Sequence, residues 1–163
     1  MTKNEEELKV IYSALDDCRR LIAAGKVQRW DVVKWGVTVN VALATAAALI
    51  PFKGAFDVCG LAVPFSFIPF GLAVVVALVG LVLVLYYNCR MTEARKDAER
   101  LIGRMKEKHD IDYEDIIGKA VASHYARGFL YDLLELLLFT IILLGSVLLP
   151  LLPAIWPRLP IAM

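Results

Sequence analysis

Residues 86–109, "YYNCRMTEARKDAERLIGRMKEKH", follow directly on an apolar run that ends at Leu85. The stretch holds seven Lys or Arg side chains and four acidic ones. No Gly or Pro lies at the junction, so we expect one helix to continue from the apolar segment into the charged one. A change this abrupt is typical of a helix that leaves a lipid bilayer and enters water.

The composition supports a membrane protein. The chain has 163 residues, of which 59% are hydrophobic, and its mean hydropathy is +0.62. Soluble domains are usually about 45–50% apolar. Nearly all charged side chains lie in residues 1–34 and 90–135. This separation into blocks predicts an all-α integral membrane protein with cytosolic parts, and the first 30 residues lack the apolar core of a signal peptide.

Three apolar runs are predicted to form transmembrane helices, at residues 35–52, 66–87 and 129–156. At about 1.5 Å per residue, about 20 residues cross a hydrocarbon core about 30 Å thick. Seven basic residues lie in residues 1–34 and nine in residues 90–128, but only one lies in the connection at 53–65. Because basic residues accumulate on the cytosolic side, we expect the N-terminus in the cytosol and the C-terminus outside.

The predicted organisation has four parts. They are a cytosolic amphipathic helix and linker (1–34), a hairpin of two transmembrane helices (35–88), a cytosolic helical stalk (89–128), and a third transmembrane helix with a short external tail (129–163). Gly25 is expected to end the first helix, with a linker at 26–35. Acidic residues at a helix start predict another short helix at 112–126.

Two predicted cytosolic segments carry apolar residues at alternating spacings of three and four. The first seam is Leu8, Ile11, Leu15, Cys18 and Ile22, and the second is Met91, Ala94, Ala98, Leu101 and Met105. Such spacing puts each set on one helix face. Short amphipathic helices are marginal alone in water. We therefore expect the two seams to pack in a helical bundle, within one chain or between copies.

Small residues mark helix-packing faces in the first two spans. In the first span they are Gly36, Asn40, Ala44 and Ala48, and in the second Ala73, Ala77 and Gly80. Small side chains let helices approach closely, and packing is the simpler interpretation of Asn40. Alternatively, Thr38, Asn40 and Thr45 line a pore. A pore requires several copies, because three spans cannot enclose a water-filled path.

A row of basic residues follows one face of the stalk. Its members are Lys96, Arg100, Arg104 and Lys108, each four residues apart. One interpretation is a solvated face that reports cytosolic orientation. The other is a binding site for anionic lipid, nucleotide or oligonucleotide. The pattern alone leaves both interpretations open.

Residues that carry chemistry are few. His109 and His124 have no Cys or carboxylate at a metal-ligand spacing, and no phosphate loop, dinucleotide fingerprint or nucleophile elbow occurs. We therefore expect no enzyme activity, no metal and no cofactor. Asp132 and Glu135 lie in the first turns of the third apolar run, where an interfacial position is favoured over an ion path.

The layout resembles a known family. An N-terminal helix ("EEELKVIYSALDDCRRLIAAG", 5–25), a hairpin of two spans and a charged helix ("CRMTEARKDAERLIGRM", 89–105) are similar to the SLATT proteins. These SMODS and SLOG associating two-transmembrane proteins are small bacterial effectors of anti-phage defence. The resemblance covers about residues 5–108, and the third apolar run departs from it.

The resemblance implies a membrane-perturbing or pore-forming effector of the bacterial inner membrane. It also implies control by a partner that makes or senses nucleotides, such as a nucleotidyltransferase. Our first hypothesis is a homo-oligomer, such as a tetramer, that conducts ions under control of an anionic ligand on its cytosolic helices. The alternative is a non-conducting adaptor or immunity protein that binds a partner through its helical seams.

Overall fold

Long helices make up most of the protein. The computed structural model describes residues 3–49, 54–109 and 119–151. The three helices are α1 (Lys3–Leu49), α2 (Ile68–His109) and α3 (Lys119–Val147), and a single 3-10 turn at Leu149–Leu151 follows α3. The helical prediction is therefore confirmed for this part of the chain.

A short β-hairpin is the exception to the all-α prediction. Strands β1 (Ala55–Val58) and β2 (Leu61–Pro64) pair antiparallel, and a 3-10 turn at Phe65–Phe67 leads into α2. Cys59 and Gly60 form the two-residue turn with φ values of 53° and 83°. Positive φ at both central positions is the geometry that best matches the twist of a tight hairpin. The sequence indicated only a short connection here.

α2 runs without interruption across the junction between the apolar run that ends at Leu85 and the charged stretch that follows it. Its 42 residues include the apolar residues before Tyr86 and the charged residues after Asn88. The prediction of one continuous helix is thus confirmed. By length and composition, both α1 and α2 could cross a membrane.

The predicted end of the first helix at Gly25 is wrong. α1 continues through Gly25 and through the expected linker at 26–35. A Cβ atom at Gly25 would lie 2.6 Å from Met91 Cγ and 2.8 Å from Met91 Sδ on α2. Gly25 therefore allows a close approach of two helices, and a helical glycine serves that purpose as readily as it ends a helix.

The third apolar run begins within a longer helix than predicted. α3 starts at Lys119, ten residues before the expected start at 129. Residues 119–126 of the helix predicted at 112–126 form the start of α3, while residues 112–118 and the outer end of the run, 152–156, lie outside the described residues. Whether this run spans a membrane stays a prediction.

The chain divides into two compact units. The first unit consists of Met1–Trp30 and Leu85–Leu136, and the second of Asp31–Val84 and Leu137–Met163. α1 and α2 each contribute residues to both units.

The core of the first unit joins the two predicted seams. Its buried members are Ile11, Leu15 and Cys18 of α1 with Ala98 and Met105 of α2, and Leu8, Leu101 and Ile102 pack against them. The seams therefore pack within one chain. Burial raises the pKa of the Cys18 thiol, and the nearby carboxylates of Asp97 and Asp17 raise it further, because both effects disfavour the thiolate.

The close approach at Gly25 predicts opposite effects of the same substitution at two helical glycines. Gly25→Ala places a methyl group against Met91, a buried side chain, so we expect a lower melting temperature in detergent micelles. Gly103→Ala on α2 meets no atom within 4 Å of the new Cβ among the described residues. It should stabilise the helix by about 0.5–1 kcal/mol. Equal melting shifts for the two variants would contradict the role given to Gly25.

Candidate functional site

The first unit contains a buried arginine. Arg29, on α1, is 0% exposed. Buried arginine is rare unless it is paired, because an isolated charge is costly to remove from water. The groups around Arg29 are therefore the first place to look for function.

Residues from two other helices surround the Arg29 guanidinium. Its Nη1 donates to Asn88 Oδ1 at 3.1 Å, and its Nη2 donates to Glu135 Oε2 at 2.5 Å. Asp132 Oδ1 lies 3.6 Å from the same Nη2, while Asp132 Oδ2 accepts from Nη1 of Arg95. Two guanidiniums thus face two carboxylates, and their formal charges cancel. We call these five residues the Arg29 network.

Helical spacing brings the members of the network together. Asp132 and Glu135 are three residues apart on α3, which puts them on one face. Asn88 and Arg95 are seven residues apart on α2, again on one face. From α1, Arg29 contacts Asn88 of the α2 pair and both acids of the α3 pair. The network therefore joins three helices of the first unit.

The Arg29 network gives the two acids partners that the sequence did not indicate. The interfacial position expected for Asp132 and Glu135 stays a prediction, and the structure directs both toward arginines of other helices. Sequence reasoning missed Arg29, Asn88 and Arg95. The available signal was the pair of acids in an apolar run, since such acids usually need a cationic partner.

The second unit contains a separate polar contact at Asn40. Asn40 is buried, and its Nδ2 donates to Ser146 Oγ on α3 at 2.7 Å. Ser146 Oγ in turn donates to the Leu143 carbonyl oxygen at 2.7 Å. Asn40 therefore packs between helices of this chain. This contact agrees with helix packing, the simpler interpretation of Asn40, and does not place Asn40 at a pore.

Small residues around Leu143 explain how the helices of the second unit approach. A Cβ at Gly36 would lie 2.8 Å from Leu143 Cδ2, and one at Gly80 would lie 3.4 Å from both Leu143 methyl carbons. Ala73 and Ala77 are also buried. Ala44 is half-buried and Ala48 is exposed, so the predicted stripe on α1 packs within this chain only along its first part.

Another face of α1 remains exposed in the second unit. It carries Thr38, Ala42 and Thr45, all of which are exposed. Thr38 Oγ1 donates to the Lys34 carbonyl oxygen at 2.8 Å and Thr45 Oγ1 to that of Val41 at 3.0 Å. We call Thr38, Ala42 and Thr45 the threonine stripe.

The predicted basic row is exposed, and two of its members pair with acids. Arg100 Nη1 lies 3.2 Å from Asp97 Oδ1, and Lys108 Nζ lies 2.6 Å from Glu7 Oε1. Lys96 and Arg104 are exposed. The structure thus places all four side chains on a solvated face. Because exposed ion pairs contribute only about 0–1 kcal/mol, a multivalent anion can compete with these acids.

Removal of one carboxylate from the Arg29 network predicts a large loss of stability. Asp132→Asn leaves Glu135 as the one carboxylate of the network for two guanidiniums, at a site where Asp132 is buried. We expect a cost of about 3–5 kcal/mol in unfolding free energy, measured by denaturant titration in detergent micelles.

The matched control is Asp16→Asn, which removes a carboxylate from the exposed Arg20 pair on α1. It should cost no more than about 1 kcal/mol. Similar losses for the two variants would show that the network contributes no more than a surface pair.

Comparison with known proteins leaves function to be argued from this geometry. The chain matches no family model, no curated protein and no solved structure. The Arg29 network, the threonine stripe and the basic row are therefore the features from which a function is inferred.

Proposed function

We propose that this chain inserts into a membrane and that several copies assemble into an ion-conducting pore. The observation that carries the proposal is the difference between the exposed faces of α1 and α2 in the second unit. The exposed face of α2 consists of large aliphatic side chains, which include Leu72, Val75 and Val82. Large aliphatic side chains suit contact with lipid tails. The threonine stripe of α1 consists of small and polar side chains, with one exposed valine, Val41, on the same face, and small and polar side chains suit another helix or water.

In the proposed assembly, the threonine stripe faces a shared axis. Hydroxyl groups that line a path can replace part of the hydration shell of an ion. We therefore propose that the threonine stripe lines the pore in place of the set Thr38, Asn40 and Thr45, because Asn40 packs within the chain. Lining residues must come from several copies, as a helical chain of this size cannot enclose a water-filled path.

Control of the pore is proposed to reside in the first unit. α1 and α2 each continue from the first unit into the second without a break in the helix. A change in helix position at the basic row can therefore be carried along the same helix. The multivalent anion proposed to act there is a nucleotide or oligonucleotide, supplied by a nucleotidyltransferase-type partner. The resemblance to SLATT effectors supports this control, the bacterial inner membrane and a role in anti-phage defence.

A non-conducting adaptor is the second candidate. One observation favours it, namely that Val10, Leu21 and Val27 of α1 are large, apolar and exposed in the first unit. Such residues suit contact with a protein partner. However, the seams originally expected to bind that partner are largely buried within this chain. An adaptor would bind through the exposed residues and would pass no ions in liposomes.

Ion flux through proteoliposomes tests the pore directly. Purified wild-type protein should release trapped ions, and Thr38→Val with Thr45→Val should lower the rate about tenfold, equivalent to about 1.4 kcal/mol. The reason is that valine keeps the shape of threonine but removes the hydroxyl group. Thr92→Val is the matched control, since Thr92 also donates to the carbonyl oxygen four residues earlier but lies outside the stripe.

Two results would contradict the proposal. One is an absence of flux from wild-type protein that is folded and oligomeric. The other is equal flux from the stripe variant and the Thr92→Val control.

In the same assay an added oligonucleotide should alter the flux, and Lys96→Gln with Arg104→Gln should weaken that response at low salt.

A further inference from the structure

The described part of α3 in the first unit, residues 132–136, turns two acidic side chains toward the other helices. Leu133 and Leu134 are 50% and 58% exposed, whereas Asp132 and Glu135 point toward α1 and α2. Residues 132–136 are the part of α3 in this unit whose side chains the structure describes. Over this part, Asp132 and Glu135 attach α3 to the other two helices through ion pairs, and Leu136 is half-buried.

The contact between α1 and α2 in the same unit has a large apolar part, beside the exposed Lys108–Glu7 pair and the Arg29–Asn88 hydrogen bond. Ile11 and Leu15 pack against Ala98 and Met105 in a continuous apolar core. Apolar contacts respond little to nearby charges, whereas ion pairs respond strongly. A charged ligand or a change in local field would therefore act on the ion pairs that attach α3 and leave the apolar core between α1 and α2 intact.

Burial of the network is uneven. The Arg29 side chain is 0% exposed, but the side chains of Arg95 and Glu135 are 14% and 31% exposed. Water reaches the partly exposed members first. An ion pair that water can reach separates at a lower free-energy cost than an enclosed one, because each group gains hydration as it loses its partner.

The network is also poorly explained by stability alone. Apolar residues of similar volume often stabilise a core as well as a buried ion network does. Asp132 is shared, since one oxygen lies near Arg29 and the other accepts from Arg95. Loss of any single charge therefore leaves a group with an unfavourable neighbour.

We propose that the Arg29 network is a latch that holds α3 against α1 and α2, and that its opening is the gating step of the pore. The inference rests on the proposed function and deepens it by naming the element that controls the pore. In the closed state Arg29 and Arg95 hold Asp132 and Glu135. In the open state α3 separates from the other two helices at this level, while the apolar α1–α2 core persists.

Distance measurements between spin labels test the latch in the full chain, in lipid nanodiscs. One label is attached to Cys89 and the other to a cysteine introduced by Leu134→Cys, with Cys18 and Cys59 replaced by serine. Cys89 of α2 and Leu134 of α3 are both exposed in the first unit. Wild-type protein should give one narrow distance distribution.

Glu135→Gln removes one charge and should add a second, longer distance. In proteoliposomes it should raise ion flux about tenfold, which corresponds to about 1.4 kcal/mol in a two-state equilibrium. Arg29→Lys keeps the charge but loses the forked hydrogen bonds, so it should produce a smaller shift of the same kind and covers the case in which Glu135→Gln does not fold. Asp16→Asn, from an exposed pair, is the control and should change neither quantity.

The two readouts separate the latch from the pore. A longer distance without flux in any variant supports the latch and contradicts the pore. Flux that depends on the threonine stripe, together with an unchanged distance in folded Glu135→Gln and Arg29→Lys, overturns the latch and leaves the pore intact. An equal response of Asp16→Asn would also overturn the latch.

Discussion

The burial of the Arg29 guanidinium is the constraint on which the first unit depends. A cation without access to water must be matched by anions and hydrogen-bond acceptors, and Asp132, Glu135 and Asn88 supply them from two other helices. The position of α1 therefore restricts where α2 and α3 can lie at this level. An apolar core alone would specify this arrangement less uniquely, because apolar contacts are not directional.

Features that repeat along one helix could be predicted from the sequence. The continuity of α2 followed from the absence of helix breakers at its junction, and the two apolar seams followed from spacings of three and four. The burial of Gly36 and Gly80 was also anticipated by the small-residue stripes. In each of these cases the decisive pattern lies within a single segment of chain.

Features that depend on two segments could not be predicted in the same way. Arg29 looked like one of several basic residues before an apolar run, and its burial depends on acids more than 100 positions later. Gly25 was misjudged because a glycine that ends a helix and one that admits a neighbouring side chain look the same in sequence. Here the neighbour is Met91 of α2. The hairpin turn at Cys59 was missed because it needs a non-glycine residue at positive φ.

The proposed function depends on two groups of polar residues that differ in exposure. The Arg29 network is enclosed, whereas the threonine stripe is exposed on a helix whose other face is packed. A cryo-electron microscopy map of the assembled particle in nanodiscs tests both the orientation of the threonine stripe and the pairing of Arg29. We expect several copies around one axis, with Thr38 and Thr45 facing that axis and Arg29 within 4 Å of Glu135 in every copy. A monomer, or an assembly in which Arg29 faces water, would contradict this description.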